Sequence, residues 1–294
     1  MTTAAEIASP PATAAKGAPP KAKRPRWRIS IAGLVGLVIV LFWLVMAIIG
    51  PAIAPHDIGA IVSPDVFAPV SAAFPLGTDY LGRDMLSRVL YGARYTVGVA
   101  LVATLLACSA GVALGLIAAG LGGWVDTVLS RTLDTLISIP SKMFALLMVA
   151  AFGSDIWLLI MTAAIIYTPG SYRIARSLAV NINAMDYVQV ARARGEGLGY
   201  ITRVEILPNI IAPVLADFGL RFVYVVLLLS GMSFLGLGVQ PPFADWGSLV
   251  RENVIGLDSG AAAVVTPALA IATLTIGINL LIDNLPGRRR TAQN

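Results

Sequence analysis

The chain has one cysteine, Cys108, and one histidine, His56, so it closes no internal disulfide and has no His- or Cys-rich metal site. Charge is also scarce. Asp, Glu, Lys and Arg make up 13% of the 294 residues, against roughly 25% in an ordinary soluble domain. Five stretches, 29–56, 95–125, 156–172, 222–244 and 259–282, contain none of them. Each is close to or beyond the roughly 20 residues that cross a bilayer as a helix. No Gly-x-x-x-x-Gly-Lys-Ser/Thr loop occurs, so the chain cannot cradle ATP phosphates by that route. No paired carboxylates share an expected helix face, as an intramembrane hydrolase requires. A gradient-driven secondary transporter would carry buried ionisable relays and internal repeats in a longer chain.

What is present is hydrophobic, 57% of the residues. The pattern predicts an all-α integral membrane protein with spans near 31–49, 93–120, 127–152, 156–179, 211–237 and 262–285. The third is interrupted by Arg131, Asp134, Pro140 and Lys142. The run 31–49 exceeds a signal-peptide core of roughly 7–15 residues and is expected to stay as an anchor. The organisation is then a basic tail 1–28, a first helix and external loop 29–92, a transmembrane core 93–285 and a short tail 286–294. Lys16, Lys21, Lys23, Arg24, Arg26 and Arg28, then Arg173, Arg176, Arg192, Arg194 and Arg203, then Arg288, Arg289 and Arg290 fall on one face of a six-span topology. The positive-inside rule makes that face cytoplasmic, with both termini there. On the opposite face Arg83, Arg88 and Arg251 are offset by Asp57, Asp65, Asp79, Asp84, Asp245, Glu252 and Asp258.

The segment 186–208 is too polar to span. Asp186 reads as a helix N-cap, Tyr187 to Arg194 lack Gly and Pro, and Gly195 is placed to end the helix in a left-handed conformation. A second short helix after Gly199 is expected to break at Pro208. Ala191 and Ala193 offer small surfaces for close approach, and Arg192 and Arg194 reach acidic groups or carbonyls of a partner.

Gln189, Val190, Ala191, Gly195, Leu207 and Pro208 resemble the signature loop of ABC importer permeases, Glu-Ala-Ala-x-x-x-Gly followed about ten residues later by Leu-Pro. Gln189 and Val190 depart from that pattern, and Glu205 stands where close relatives often have His. The stretch Phe74-Pro-Leu-Gly77-Thr-Asp79-Tyr-Leu-Gly82-Arg83-Asp84-Met-Leu-Ser-Arg88 with Tyr91-Gly-Ala-Arg94 is similar to the dipeptide and oligopeptide branch, C-subunit type. So are Gly122-Gly-Trp-Val-Asp126, Ser233-Phe-Leu-Gly-Leu-Gly-Val-Gln-Pro-Pro242 and Trp246-Gly247.

The resemblance implies the type I importer permease fold, six transmembrane helices with a cytoplasmic coupling helix docked on an ATPase. The coupling residues it implies are Asp186, Tyr187, Gln189, Ala191, Arg192, Ala193, Gly195, Leu207 and Pro208. It also implies a homologous second permease, two ATPase subunits holding ATP and Mg, and a periplasmic or lipid-anchored binding protein. No cofactor on this chain and no nucleic acid are expected. Cargo in the branch includes di- and oligopeptides, nickel chelates, opines and other small solutes.

Lys142, Asp217 and Arg221 are candidates for the translocation path, because charge inside a span is expensive. Asp134 and Asp217 are the expected partners of Lys142, and Asp217 and Arg221 are spaced to pair with each other. Asp79, Arg83 and Asp84 read as a solvated external cluster and a candidate gate or docking surface. Gly111 and Gly115 form a GxxxG pair suited to close helix packing.

Overall fold

The computed structural model describes residues 30–258 and 261–284. The basic clusters at 16–28 and 288–290, on which part of the orientation argument rests, lie outside them. Every regular element among the described residues is helical: α1 Ile31–Ile53, α2 Met85–Leu121, α3 Gly123–Ile137, α4 Ser141–Phe152, α5 Ile156–Asn183, α6 Asp186–Ala193, α7 Leu198–Tyr200, a π-helical stretch Ile201–Ile206, α8 Leu207–Phe234, α9 Trp246–Asn253, a 3-10 turn Val254–Gly256 and α10 Ala261–Asp283. In lipid a spanning segment must satisfy its own backbone groups, so each apolar run becomes a helix.

Four of these helices, α1, α2, α5 and α10, are long and apolar enough to cross a membrane, and so is the continuous helix Leu198–Phe234. The expected third span is instead two helices, α3 and α4, bent by 82° across Ser138 to Pro140. The pair still crosses. Asn183 at the end of α5 donates to Ala119 O near the end of α2 at 2.7 Å, and the 28 residues of α5 extend about 42 Å at 1.5 Å each. The chain must cover that length between Leu121 and Ile156. Pro140 cannot continue the helix, and three polar rungs tie α3 to α5: Asp126 to Arg176, Ser130 to Tyr172 at 2.8 Å, and Asp134 to Arg173 at 2.5 Å. Spacing four residues apart on α3 stacks the rungs along one face.

Several boundaries differ from the sequence reading. The second helix starts at Met85 rather than 93, because Asp84 caps it, accepting from Leu86 N and Ser87 N. The division at 92/93 therefore falls inside α2. No break occurs at Pro208. Leu207 N reaches back five residues to Thr202 O, and this wider turn absorbs the proline, whose ring would clash in a regular helix. Asn209 Nδ2 donates to Glu205 O at 2.6 Å, covering a carbonyl near the proline.

The core is dominated by α2 packed along α5. A Cβ at Gly111 would lie 2.6 Å from Ser171 Cβ, and one at Gly115 would lie 2.8 Å from Arg176 N. Both positions must stay small for the helices to meet. Gly111→Leu is expected to cost about 1–3 kcal/mol or more by overpacking. The melting temperature of the purified protein should drop by roughly 5–10 °C, and an unchanged melt would contradict the contact. Cys108 is a buried thiol in the same helix.

At the end of the molecule away from α6, residues 54–84 fold over the helix ends. Gly77 and Gly82 have positive φ, and a Cβ at Gly82 would meet Ser63 O at 2.1 Å. Both glycines of the 74–88 block are thus required by the backbone. Trp246 anchors α9, donating from Nε1 to Val89 O and from its amide to Thr96 Oγ, each at 3.0 Å.

Candidate functional site

Three groups of expected site residues lie in separate places. The first is α6. Its cap is Met185, in extended conformation, and Asp186 is the first helical residue rather than the cap. The carboxylate still lies in the first turn, where the helix dipole favours it. At the other end Gly195 N donates to Arg192 O at 2.9 Å and Glu196 N to Ala191 O at 3.2 Å, with Gly195 at φ 83°. This pair of bonds is a Schellman closure, which requires a left-handed residue.

The two faces of α6 divide sharply. Val188 and Ala191 are fully buried against Ile201, Ile206 and Ile210, which corrects the reading of Ala191 as a surface for close approach. Ala193 and Arg194 are exposed, as are Met185, Tyr187 and Val190, with Val190 56% accessible. Arg192 turns back to its own subunit, donating to Asn183 Oδ1 at 3.0 Å, and Gln189 Nε2 donates to Asn183 O at 2.8 Å. Asn209 Nδ2 lies 3.4 Å from Tyr187 Oη, linking α6 to α8. Leu207 is half-buried and Pro208 exposed at the base of that helix. Asn183 was missed in the sequence. Its signal is a polar residue closing an apolar helix, but its three partners become visible only in three dimensions.

Lys142, the first candidate of the second group, is exposed and forms no ion pair among the described residues. Asp134 is taken by Arg173 and Asp217 by Arg221, at 2.5 and 2.6 Å. Lys142 lies in the first turn of α4, two residues after Pro140, and both expected aspartate partners already hold arginines. Asp217 and Arg221 pair across one turn as expected, both buried midway along α8. Arg221 Nη1 also donates to Tyr167 O at 3.2 Å.

Beside this pair lies a cavity of 310 Å³ at the bend of the third span. Leu136, Ile137 and Phe144 from the bent pair and Ile165 and Ile166 from α5 form its apolar wall. Arg173, Arg221, Tyr167 and Tyr224 supply its polar groups. The two tyrosine rings stack with centroids 6.4 Å apart.

In the third group Asp79 and Asp84 are buried and Arg83 is half-buried, so the cluster is not a solvated surface. Asp79 is 0% accessible and accepts from Arg83 Nε and Arg88 Nη1, both at 2.6 Å, and from the amides of Leu81 and Arg83. Glu252 on α9 closes the cluster, accepting from Arg83 Nη2 at 3.1 Å and Arg88 Nη1 at 2.9 Å. Asp84 is the α2 cap, with His56 Nδ1 3.4 Å away. These residues brace the loop 54–84 against α9. Neither Asp79 nor Asp84 is open to contact from outside the chain. Nearby, burial pushes the Asp245 carboxyl above the ordinary carboxylate range, opposed by hydrogen bonds from Ser233 and Ser248.

Residues 111–291 match the family described as binding-protein-dependent transport system inner membrane component. The chain is 30% identical over 258 residues to the dipeptide transport system permease protein DppC of Haemophilus influenzae, covering 86% of this chain and 88% of that protein. It is 32% identical to a probable D,D-dipeptide transport system permease protein of Escherichia coli, DdpC, with 84% and 83% covered. It is 35% identical to a putative peptide transport system permease protein of Brucella suis, with 85% and 84% covered.

Proposed function

This chain belongs to the family of binding-protein-dependent transport system inner membrane components, and from that membership we propose that it carries di- or oligopeptides through the membrane as one of two paired permease subunits. It is a multi-pass permease component and not itself an enzyme. The energy then comes from two ATPase subunits that hold ATP and Mg, and a periplasmic or lipid-anchored binding protein delivers cargo. The peptide transport named for its relatives supports this cargo class. The positive-inside count supports a cytoplasmic location for α6 and for both termini.

The observation that carries the coupling role is the division of α6. One face is locked to the subunit by Val188 and Ala191, and the other presents Tyr187, Val190 and Arg194 outward. A short helix fixed on one side transmits displacement to α5 and α8 when its free side is gripped. Asn183 and Asn209 supply side-chain links from α6 to α5 and α8. An ATPase that binds the two states of the permease unequally can then shift the balance between inward- and outward-open forms.

The test is a thiol cross-link. In a Cys108→Ala background, Val190→Cys is expected to cross-link to the ATPase subunit in membranes holding the assembled transporter. Ala191→Cys, facing inward, is expected to react poorly. Labelling of Val190→Cys by an impermeant reagent added outside intact cells would refute the orientation, and absence of any ATPase adduct would refute the coupling role.

A further inference from the structure

The cavity at the bend of the third span is lined by two arginines, Arg173 and Arg221, while their counter-ions Asp134 and Asp217 do not line it. The wall therefore presents the cationic side of two ion pairs. Arg221 uses Nε on Asp217 and Nη1 on Tyr167 O, and its guanidinium packs against Gly170, where a Cβ would sit 2.5 Å from Nη1 and 2.9 Å from Nη2. A glycine at that place lets the guanidinium lie against the α5 backbone at the cavity edge. Arg221 is midway along α8 and Gly170 midway along α5. A charge at that depth is costly unless paired and marks a functional position. Tyr167 and Tyr224 supply a stacked aromatic wall beside it.

We propose that this cavity is a mid-membrane cargo site in which Arg221 takes the free carboxylate of a small peptide on its Nη1–Nη2 edge while Nε stays on Asp217. The site rests on the transport reading above and adds the group that recognises the cargo. A planar guanidinium binds a carboxylate through two parallel N–H donors, which a lysine does not reproduce. The volume of 310 Å³ is at the lower end of the roughly 300–1,000 Å³ typical of small-molecule pockets, so it suits a dipeptide better than a long chain. Asp217, one turn away, holds Arg221 through Nε with and without cargo, so neither buried charge is left unpaired when the cargo leaves.

Labelling kinetics on the purified, assembled transporter test the site. Tyr224→Cys in a Cys108→Ala background is treated with sulfonatoethyl and trimethylammonioethyl methanethiosulfonates, with rates normalised to a free thiol. The anionic reagent is expected to react at least about tenfold faster than the cationic one. L-alanyl-L-alanine is expected to slow labelling, whereas its C-terminal amide is not. Adding Arg221→Gln should abolish both the charge preference and the protection. Adding Gly170→Ala, which keeps the arginine but displaces it, should reduce both. Charge-indifferent labelling, or equal protection by the acid and the amide, overturns the site. ATP-driven dipeptide uptake by the unmodified transporter is measured in parallel. Normal uptake with charge-indifferent labelling overturns the site alone. Selective, carboxylate-protected labelling without ATP-driven uptake supports the site and overturns the transport reading.

Discussion

Asp79→Leu is expected to destabilise the protein by about 3–5 kcal/mol, the penalty for removing one partner from a buried ionic group. Arg83 and Arg88 both donate to Asp79 Oδ2 at 2.6 Å, and Arg88 is only 2% accessible. Without Asp79 the two guanidiniums share Glu252 alone, at 3.1 and 2.9 Å. The carboxylate also holds the amides of Leu81 and Arg83, so the loop loses its turn as well as its charge balance. Thermal unfolding in detergent should show a fall of roughly 10 °C or more. Glu252→Gln, which keeps an acceptor at the same place, should fall less. Equal stability of Asp79→Leu and the parent would mean the cluster does not brace the loop against α9.

Gly195→Val is expected to reduce ATP-driven uptake roughly tenfold while leaving the amount of protein in the membrane unchanged. The space around Gly195 is open, with nothing within 4 Å of an added Cβ, so the effect comes from φ 83° alone. A left-handed conformation costs other residues about 1–2 kcal/mol, which changes the ratio of closed to frayed helix end by about 5–30-fold. A β-branched residue is the worst tolerated there. Asn enters this region more easily, so Gly195→Asn should keep most of the uptake. If both variants transport like the parent, the closure of α6 plays no part in coupling. The contrast between Val and Asn separates backbone strain from loss of a contact.

How much could be read from the chain varied with the distance over which residues act. The spans were legible because lipid leaves no alternative to a helix, and runs free of charge mark them directly. Gly195 was legible because a helix stop is a local event between neighbours. By contrast, the faces of α6 were not. In a helix of eight residues either side can be inward, and the sequence offers Ala191 as an outward surface, whereas Ile201, Ile206 and Ile210 cover it. Pro208 misled for a similar reason, since the π turn before it relieves the clash that a regular helix would suffer.

The sequence by itself determined five of the crossings, the polar segment between the fifth and eighth helices and the absence of a nucleotide loop, because these follow from hydropathy and near-neighbour chemistry, whereas the crossing by the bent pair α3–α4 rests on the contact between the ends of α2 and α5. Only the tertiary structure decided which charges are buried together. Asp79 needs Arg88 nine residues away, but the second acceptor of Arg88, Glu252, is 164 residues from it. It also decided that Arg221 borders a cavity, since that cavity exists only where α3, α4, α5 and α8 meet around an 82° bend. Pairing of this kind depends on where helices cross, and no local pattern in the chain carries that information.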